Sequence, residues 1–163
     1  MFKVGVITVS DKGSRGERVD ESGKVISEIL ERNGFKVEYY NIIPDDLSTI
    51  EDELINCCDE IGLDLLLTTG GTGFSPRDVT PEATIKIMTK PAFGIAEAIR
   101  MYSLSITKRA MLSRAVSVIR NKTLIVNLPG SPKACRESLE YIIDELDHGL
   151  KILLSMEGEC GEK

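Results

Sequence analysis

Short apolar stretches alternate along this chain with longer amphipathic ones. The apolar stretches are rich in branched side chains, which predicts buried strands of a mainly parallel sheet. The dipeptide Asn121-Lys122 separates the last two of them and indicates a two-residue hairpin turn. The predicted strands are residues 3–9, 35–43, 63–69, 115–119 and 123–127.

The amphipathic stretches carry apolar residues at helical spacing, so they predict helices that pack by one face. Ser48 with Glu51 three residues later forms a capping-box pattern, and Thr80 followed by Pro81 is a favourable helix start. Gly34 is a good stop signal for the first helix. The predicted helices are residues 21–33, 81–88, 92–104 and 133–154, with a further helix that begins at Ser48.

Strands that alternate with helices are typical of a doubly wound α/β fold, with helices on both faces of the sheet. We therefore expect a mostly parallel sheet with one antiparallel hairpin strand. The length of 163 residues suits one domain. We place this domain at residues 1–156 and interpret residues 157–163 as a frayed polar tail.

Composition and charge restrict the possible partners. A net charge of −6 argues against a general nucleic-acid binder, because such affinity depends on neutralising phosphates. Four scattered cysteines and one histidine argue against a zinc site and favour a reducing compartment. No stretch is apolar for long enough to suggest a membrane span, and residues 1–9 predict a strand rather than a signal peptide. We expect a cytoplasmic protein.

Four polar loops follow predicted strands, and a parallel sheet brings such loops to one edge, where ligands bind. They are residues 10–20, 44–46, 70–80 and 128–132. The third begins with Gly70-Gly71-Thr72-Gly73. It lacks the third glycine of a dinucleotide fingerprint, because Pro76 stands there, and no Gly-Lys-Ser/Thr follows as in a P-loop. A tight turn would explain one glycine, but the cluster favours anion binding.

Asp45 and Asp78 both lie in these loops and are candidates for holding Mg²⁺, which one or two carboxylates bind together with substrate phosphates. Ordinary turn and helix-start chemistry explains either acid equally well when it is taken alone. Asp46 directly follows Asp45, so the sequence does not decide which of the two is the functional acid.

The loops also contain Arg77, and Arg114 lies near them; their charges would offset the repulsion between an acidic protein and a polyphosphate. No cysteine or histidine lies in these loops, so the sequence gives no support for a nucleophile–histidine mechanism. The chemistry that remains needs positioning and charge stabilisation, as phosphoryl and nucleotidyl transfer do.

Five segments of the chain resemble the molybdopterin adenylyltransferase family of molybdenum cofactor biosynthesis, which includes MoaB-type proteins and the gephyrin G domain. The resemblance extends over nearly the whole chain. The segments are Val9-Ser10-Asp11, Ile43-Pro44-Asp45, residues 68–84, Leu112-Ser113-Arg114 and residues 127–133 (NLPGSPK).

The resemblance implies a three-layer α/β/α sandwich and a homotrimer. It implies that Mg²⁺, ATP and molybdopterin bind at the loop edge, and that AMP is transferred to the terminal phosphate of molybdopterin. It assigns the functional acids to Asp45 and Asp78. The downstream molybdate-inserting enzyme is a further expected partner. The residues implied to line the site are Ser10, Asp11, Asp20, Gly70, Gly71, Thr72, Gly73, Ser113, Pro129, Gly130 and Ser131.

Two other functions fit the same loops. One is a carrier or scaffold that holds molybdopterin without turnover, and the other is a nucleotide pyrophosphatase that needs no pterin acceptor. Two metal-binding acids beside an intact glycine loop favour the transferase over the carrier.

Overall fold

In the computed structural model, which describes residues 1–156, six strands form one sheet between two helical layers. The predicted tail, residues 157–163, lies outside the described residues. The strands are β1 (Lys3–Val9), β2 (Lys36–Ile43), β3 (Leu65–Thr69), β4 (Lys90–Pro91), β5 (Ser117–Arg120) and β6 (Thr123–Leu128). The helices are α1 (Asp11–Ser14), α2 (Glu21–Arg32), α3 (Leu47–Ile55), α4 (Thr80–Ile87), α5 (Gly94–Leu104) and α6 (Pro132–Leu153).

The strand order is β2-β1-β3-β6-β5-β4. The first four strands of this order are parallel, whereas β5 is antiparallel to β6 and β4 is antiparallel to β5. The hairpin between β5 and β6 turns at Asn121, whose φ is 52°. The predicted three-layer α/β/α fold with an antiparallel hairpin is confirmed.

Alternating side chains of the central strands feed two separate cores, as the two-residue period of a strand requires. In β1, Val4 and Val6 pack against the layer of α2 and α6, while Ile7 and Val9 pack against the layer of α3 and α4. In β3, Leu65 and Leu67 face the first layer, while Leu66 faces the second. Both faces are covered, which explains why these strands are continuously apolar in sequence.

Two helix starts differ from the sequence prediction. The cap of α3 is Asp46, whose side chain accepts a hydrogen bond from the Thr49 N–H at 3.0 Å, so the capping box at Ser48 was wrong. The predicted cap Thr80 is instead the first residue of α4, which has no side-chain cap. The Thr80 hydroxyl donates to the Gly70 carbonyl at 3.0 Å. The Thr80 hydroxyl, which the sequence predicted to cap α4, therefore binds a carbonyl of the preceding loop instead.

Three short elements were absent from the sequence prediction. Helix α1 occupies part of the loop predicted at residues 10–20, and the edge strand β4 forms where only a helix break was expected. A 3₁₀ turn, Lys108–Leu112, follows α5. All three are short, and local periodicity in so few residues carries little signal. Among the described residues, no helix is long and apolar enough to cross a membrane.

A buried asparagine fixes the frame around the loops. Asn127 in β6 donates to the Thr68 hydroxyl at 2.9 Å and to the Thr84 hydroxyl at 3.1 Å, and it accepts from the Val116 N–H at 3.2 Å. These contacts join β6 to β3 and to α4. Both ends of the glycine loop, which connects β3 to α4, therefore rest on one polar network inside the core.

Candidate functional site

A cavity of about 530 Å³ opens at the carboxyl ends of β1 and β3. After β1 the chain continues towards β2, and after β3 it continues in the opposite direction, towards β6. Such a switch point between neighbouring strands is where α/β folds bind ligands. Each predicted loop contributes to the lining, with Ser10, Asp45, Gly70 and Gly130 as examples. The expectation that the four loops converge is confirmed.

The glycine loop is held by all four of its carbonyl groups. Thr80 donates from its N–H to the Gly71 carbonyl at 3.1 Å and from its hydroxyl to the Gly70 carbonyl. Arg114 donates from its N–H to the Thr72 carbonyl at 2.9 Å and from Nε to the Gly73 carbonyl at 2.7 Å. Two residues from other elements thus fix the direction of four consecutive peptide groups.

This arrangement turns the loop into a row of hydrogen-bond donors. In a trans peptide the N–H points away from the carbonyl, and the chain has no cis peptide bond among its described residues. The N–H groups of residues 71 and 72 therefore point away from Thr80, and those of residues 73 and 74 point away from Arg114. Gly70 and Gly71 have φ of 94° and 69°, values that glycine adopts without strain. Successive donors of this kind form an anion-binding concavity.

Asp45 presents one carboxylate oxygen to this loop. Its Oδ2 accepts a hydrogen bond from the Asp11 N–H at 2.9 Å. Its Oδ1 lies only 3.1 Å from the point where a Cβ on Gly71 would stand. Burial raises the pKa of Asp45 above its ordinary value, and the charges of Asp11 and Asp78 add to this effect. The acid is therefore fixed, close to Asp78 and electrostatically receptive to a cation.

Asp46, the alternative acid, is used elsewhere. Its Oδ2 accepts from the Thr49 N–H, from the Thr49 hydroxyl at 2.7 Å and from the Ser48 hydroxyl at 3.0 Å. These hydrogen bonds lower the pKa of Asp46. Asp45 lines the cavity and Asp46 does not, so the structure separates two neighbours that the sequence could not distinguish.

Asp78 also lines the cavity, from the far end of the glycine loop. Its Oδ2 accepts from the Ser75 N–H at 3.1 Å and lies 2.9 Å from the position of a Cβ on Gly73. No group of three or more acidic, histidine or cysteine side chains within residues 1–156 could hold a metal by itself. Two carboxylates beside a loop of peptide N–H donors nevertheless fit Mg²⁺, which takes its remaining ligands from phosphates and water.

The two arginines predicted at the site both bind protein groups. Arg114 donates from Nη2 to the Asp78 carbonyl at 2.7 Å and forms an ion pair with Glu82, in addition to its contacts with the glycine loop. Arg77 forms a bidentate ion pair with Asp11, with distances of 2.9 and 3.0 Å. Their predicted contacts with substrate phosphates stay predictions.

Ser10 and Asp20 line the cavity and also cap helices. The Ser10 hydroxyl accepts from the Gly13 N–H at 3.0 Å at the start of α1. Asp20 caps α2 by accepting from the Gly23 N–H at 3.0 Å, and its other oxygen accepts from the Thr8 hydroxyl at 2.6 Å and from the Tyr40 hydroxyl. Asp20 is therefore firmly oriented before any ligand binds.

The loop formed by Pro129, Gly130 and Ser131 is held against β3. The Pro129 carbonyl accepts from the Thr69 hydroxyl at 2.5 Å and from the buried thiol of Cys135 at 2.9 Å. The Gly130 carbonyl accepts from the Ser22 hydroxyl at 2.8 Å. A Cβ on Gly130 would stand 3.6 Å from the Gly70 Cα, so the two loops approach backbone to backbone.

A second cavity, of about 300 Å³, lies on the other side of the glycine loop. Thr72, Gly73, Ser113 and Pro129, all predicted site residues, line this cavity and not the first. Gly70 and Gly71 line the first and not the second. The glycine loop therefore forms a wall between two cavities, whereas the sequence predicted one site.

Sequence reasoning missed the residues that complete both cavities. Those of the second cavity lie mainly on α5 and the 3₁₀ turn, which follow no predicted strand end, so the convergence of strand-end loops does not predict them. Asn127 belonged to the motif at residues 127–133, and its polar side chain within a buried strand was an available signal. The missed residues include Arg18, Val19, Glu21 and Ser22 in the first cavity and Arg100, Ser103, Thr107, Arg109 and Asn127 in the second.

Comparison with known proteins gives a consistent result. Residues 5–148 match the family described as "Probable molybdopterin binding domain". The molybdopterin adenylyltransferase of Helicobacter pylori is 44% identical over 163 residues, which cover 98% of this chain and 92% of that protein. The molybdopterin adenylyltransferase of Escherichia coli K12 is 40% identical over 146 residues, which cover 88% of this chain and 74% of that protein.

A solved structure agrees with these relatives. The crystal structure of the molybdopterin biosynthesis enzyme MoaB from Thermus thermophilus superimposes with a TM-score of 0.90 at 48% sequence identity. The match covers 95% of this chain and 98% of that chain.

The close approach of Gly71 to Thr80 can be tested by adding a side chain at this glycine. A Cβ at Gly71 would stand 2.3 Å from the Thr80 hydroxyl oxygen, whereas one at Gly16, whose φ of 74° is similar, would meet nothing within 4 Å. Gly16→Ala should therefore lower the free energy of unfolding by the backbone strain alone, about 1 kcal/mol. Gly71→Ala should lower it by about 1–3 kcal/mol more, because overpacking adds to the strain. Denaturant unfolding measures both, and equal losses would contradict the geometry.

Proposed function

Because the chain belongs to the molybdopterin-binding family described above, we propose that it is a molybdopterin adenylyltransferase. It transfers AMP from Mg²⁺-bound ATP to the terminal phosphate of molybdopterin and releases pyrophosphate, in the biosynthesis of the molybdenum cofactor. The observation that carries the proposal is the glycine loop, which has fixed peptide donors and separates two cavities beside two acids. This arrangement suits a reaction that joins two phosphorylated substrates, because fixed donors can position both.

We assign one substrate to each cavity. The larger cavity contains Asp45, Asp78 and the first two glycines, a set that suits the triphosphate of ATP with its cation. The smaller cavity has a more apolar wall, with Ile99 and Leu112 among its members, and polar groups such as Ser113 and Asn127. Apolar walls with a few convergent polar groups suit a flat heterocycle such as a pterin.

The chain's own groups account for the transfer step. An oxygen of the molybdopterin phosphate forms a bond to the α-phosphorus of ATP, and the bond from that phosphorus to the bridging oxygen breaks, so that pyrophosphate leaves. The attacking oxygen is already anionic at neutral pH, so no general base is required. The peptide donors of residues 71–74 hold phosphate oxygens and stabilise negative charge in the transition state.

Asp45 and Asp78 are proposed to hold Mg²⁺. When bound, the ion would neutralise phosphate charge and so reduce the repulsion between two anionic substrates. Asp45 Oδ1 faces the glycine loop, and Asp78 Oδ2 lies beside Gly73, so each acid has an oxygen directed at the same wall. The cytoplasm is the proposed location, since Cys57, Cys58 and Cys135 are free thiols. The molybdate-inserting enzyme that consumes the product is the proposed partner.

The transfer assay tests the function directly. The chain is incubated with molybdopterin, ATP and Mg²⁺, and we expect pyrophosphate and adenylated molybdopterin in equal amounts, both abolished by a chelator. Molybdopterin binding without either product would favour a carrier. Release of AMP and pyrophosphate from ATP without molybdopterin would identify a pyrophosphatase instead.

Adjacent acids provide a matched pair of variants. Asp45→Asn should lower kcat/KM for ATP by 100-fold or more, on the order of the loss seen when one stabilising group is removed from an active site. Asp46→Asn should leave kcat/KM within about twofold, because asparagine caps a helix as well as aspartate does. Both are measured at saturating Mg²⁺. Equal losses in the two variants would contradict the assignment of Asp45.

We propose a homotrimer, and an exposed apolar patch supports it. The patch is formed by α5 and the residues after it: Met101, Leu104, Ile106, Met111 and Leu112, with Met101 74% exposed and Met111 60% exposed. Soluble monomers seldom leave such a patch uncovered. It adjoins the second cavity, which Leu112 lines.

Sedimentation velocity should give a mass of about three times the 17.9 kDa of one chain. Met101→Asp should shift the mass towards that of one chain, because a carboxylate would be buried in the interface. Leu47→Asp, on α3 and away from the patch, is the control and should leave the trimer intact. A monomeric wild type, or identical behaviour of the two variants, would overturn the proposal.

A further inference from the structure

Three loops of the larger cavity are joined by one hydrogen-bonded chain of charged side chains. The Asp11 N–H donates to Asp45 Oδ2 at 2.9 Å, and the Asp45 N–H donates to Asp11 Oδ1 at 3.0 Å. Arg77 donates from Nη2 to Asp11 Oδ1 at 2.9 Å and from Nε to Asp11 Oδ2 at 3.0 Å. Asp11 follows β1, Asp45 follows β2 and Arg77 follows β3, so the chain of contacts spans the carboxyl ends of three neighbouring strands.

The reciprocal pair of hydrogen bonds determines how Asp45 is oriented. Each of the two aspartates accepts from the other's main-chain N–H, which closes a ring between the two loops. Asp45 Oδ2 is held in this ring, and the other oxygen, Oδ1, is directed at Gly71. Rotation of the Asp45 carboxylate would break the ring. The ring therefore fixes which oxygen of Asp45 faces the phosphate wall.

Arg77 holds Asp11 in the ring by its guanidinium fork. An ordinary exposed ion pair contributes little to stability, and the Arg77 side chain is 62% exposed. This pair differs in two respects: it is bidentate, and Asp11 Oδ1 is shared between Arg77 and the Asp45 N–H. Without Arg77, Asp11 could rotate away and leave the Asp45 N–H without its acceptor. The pair therefore matters for geometry more than for stability.

We propose that Arg77 and Asp11 are positioning residues, which hold one oxygen of Asp45 at the metal–phosphate wall and do not themselves bind substrate phosphate. The inference rests on the proposed function, in which Asp45 is a metal ligand. It reassigns a guanidinium that the sequence placed on the nucleotide. Partners that orient a metal ligand commonly change metal affinity by 10–100-fold when they are removed.

A small set of variants isolates this role. Arg77→Ala removes the fork, Asp11→Asn removes the charge that it binds, and the double variant removes both. The matched control is Arg15→Ala, because Arg15 also forms a bidentate pair, with Glu17 at 3.0 and 3.1 Å, and has a side chain 56% exposed. Arg77→Lys keeps the positive charge but not the fork, so partial recovery is expected.

The main readout is binding rather than turnover. Mn²⁺ serves as a paramagnetic substitute for Mg²⁺, and its affinity for the chain with α,β-methylene ATP is measured by electron paramagnetic resonance. We expect about tenfold weaker Mn²⁺ binding in Arg77→Ala and in Asp11→Asn, with the double variant no weaker than either. Affinity for the nucleotide without metal should stay within about twofold of the wild type. Arg15→Ala should behave as the wild type does.

A second readout needs no ligand. Amide hydrogen exchange of Asp45 should accelerate in Arg77→Ala and not in Arg15→Ala, because only the first variant loosens the acceptor of that N–H. Unchanged Mn²⁺ affinity with unchanged Asp45 exchange would overturn the proposal. Weaker binding of metal-free nucleotide in Arg77→Ala would also overturn it, since that result means direct phosphate contact. Turnover is assayed separately, so a wild type that binds Mn²⁺ and nucleotide without transferring AMP would overturn the proposed function alone.

Discussion

The hydrogen bonds that Thr80 and Arg114 donate to four consecutive carbonyls are the constraint on which the rest of the site depends. Glycines alone would give a loop with many conformations and a large entropy to lose on binding. Thr80 is fully buried at the start of α4, and Arg114 comes from the segment before β5, so two separate parts of the chain hold the loop. The peptide donors are therefore oriented before a substrate arrives.

In the proposed mechanism, pre-oriented donors account for a transfer that needs no catalytic base. Electrostatic groups that are fixed in advance stabilise a transition state without reorganisation, and phosphate oxygens at neutral pH are already nucleophiles. Both acids are also held in place by hydrogen bonds. Asp45 is oriented through Asp11, and the main-chain carbonyl of Asp78 is bound by Arg114. In the proposed function, the cavities on the two sides of the loop let separate substrates reach one set of donors.

The sequence predicted the fold well because hydrophobic periodicity records which face of each strand is buried. It also located the glycine loop, Asp45 and Asp78, because strand ends converge in a parallel sheet. It predicted Thr80 as a helix cap, which was wrong, and did not decide between Asp45 and Asp46 as the functional acid. Each of these side chains has several possible local partners, and the tertiary structure determines which one it binds. The side-chain partners of Arg77 and Arg114 lie 66 and 32–41 residues away in the chain, beyond any local rule. The second cavity depends on the side of α5 that faces the loop, which spacing alone does not reveal.

The assignment of one substrate to each side of the glycine loop is tested most directly by a crystal structure of the chain with α,β-methylene ATP, Mg²⁺ and molybdopterin. We expect the nucleotide in the cavity lined by Asp45 and Asp78, and the pterin in the cavity lined by Ser113 and Asn127. The α-phosphate and the terminal phosphate of molybdopterin should meet at the donors of residues 71–74. Both substrates in one cavity, or phosphates bound away from the glycine loop, would contradict it.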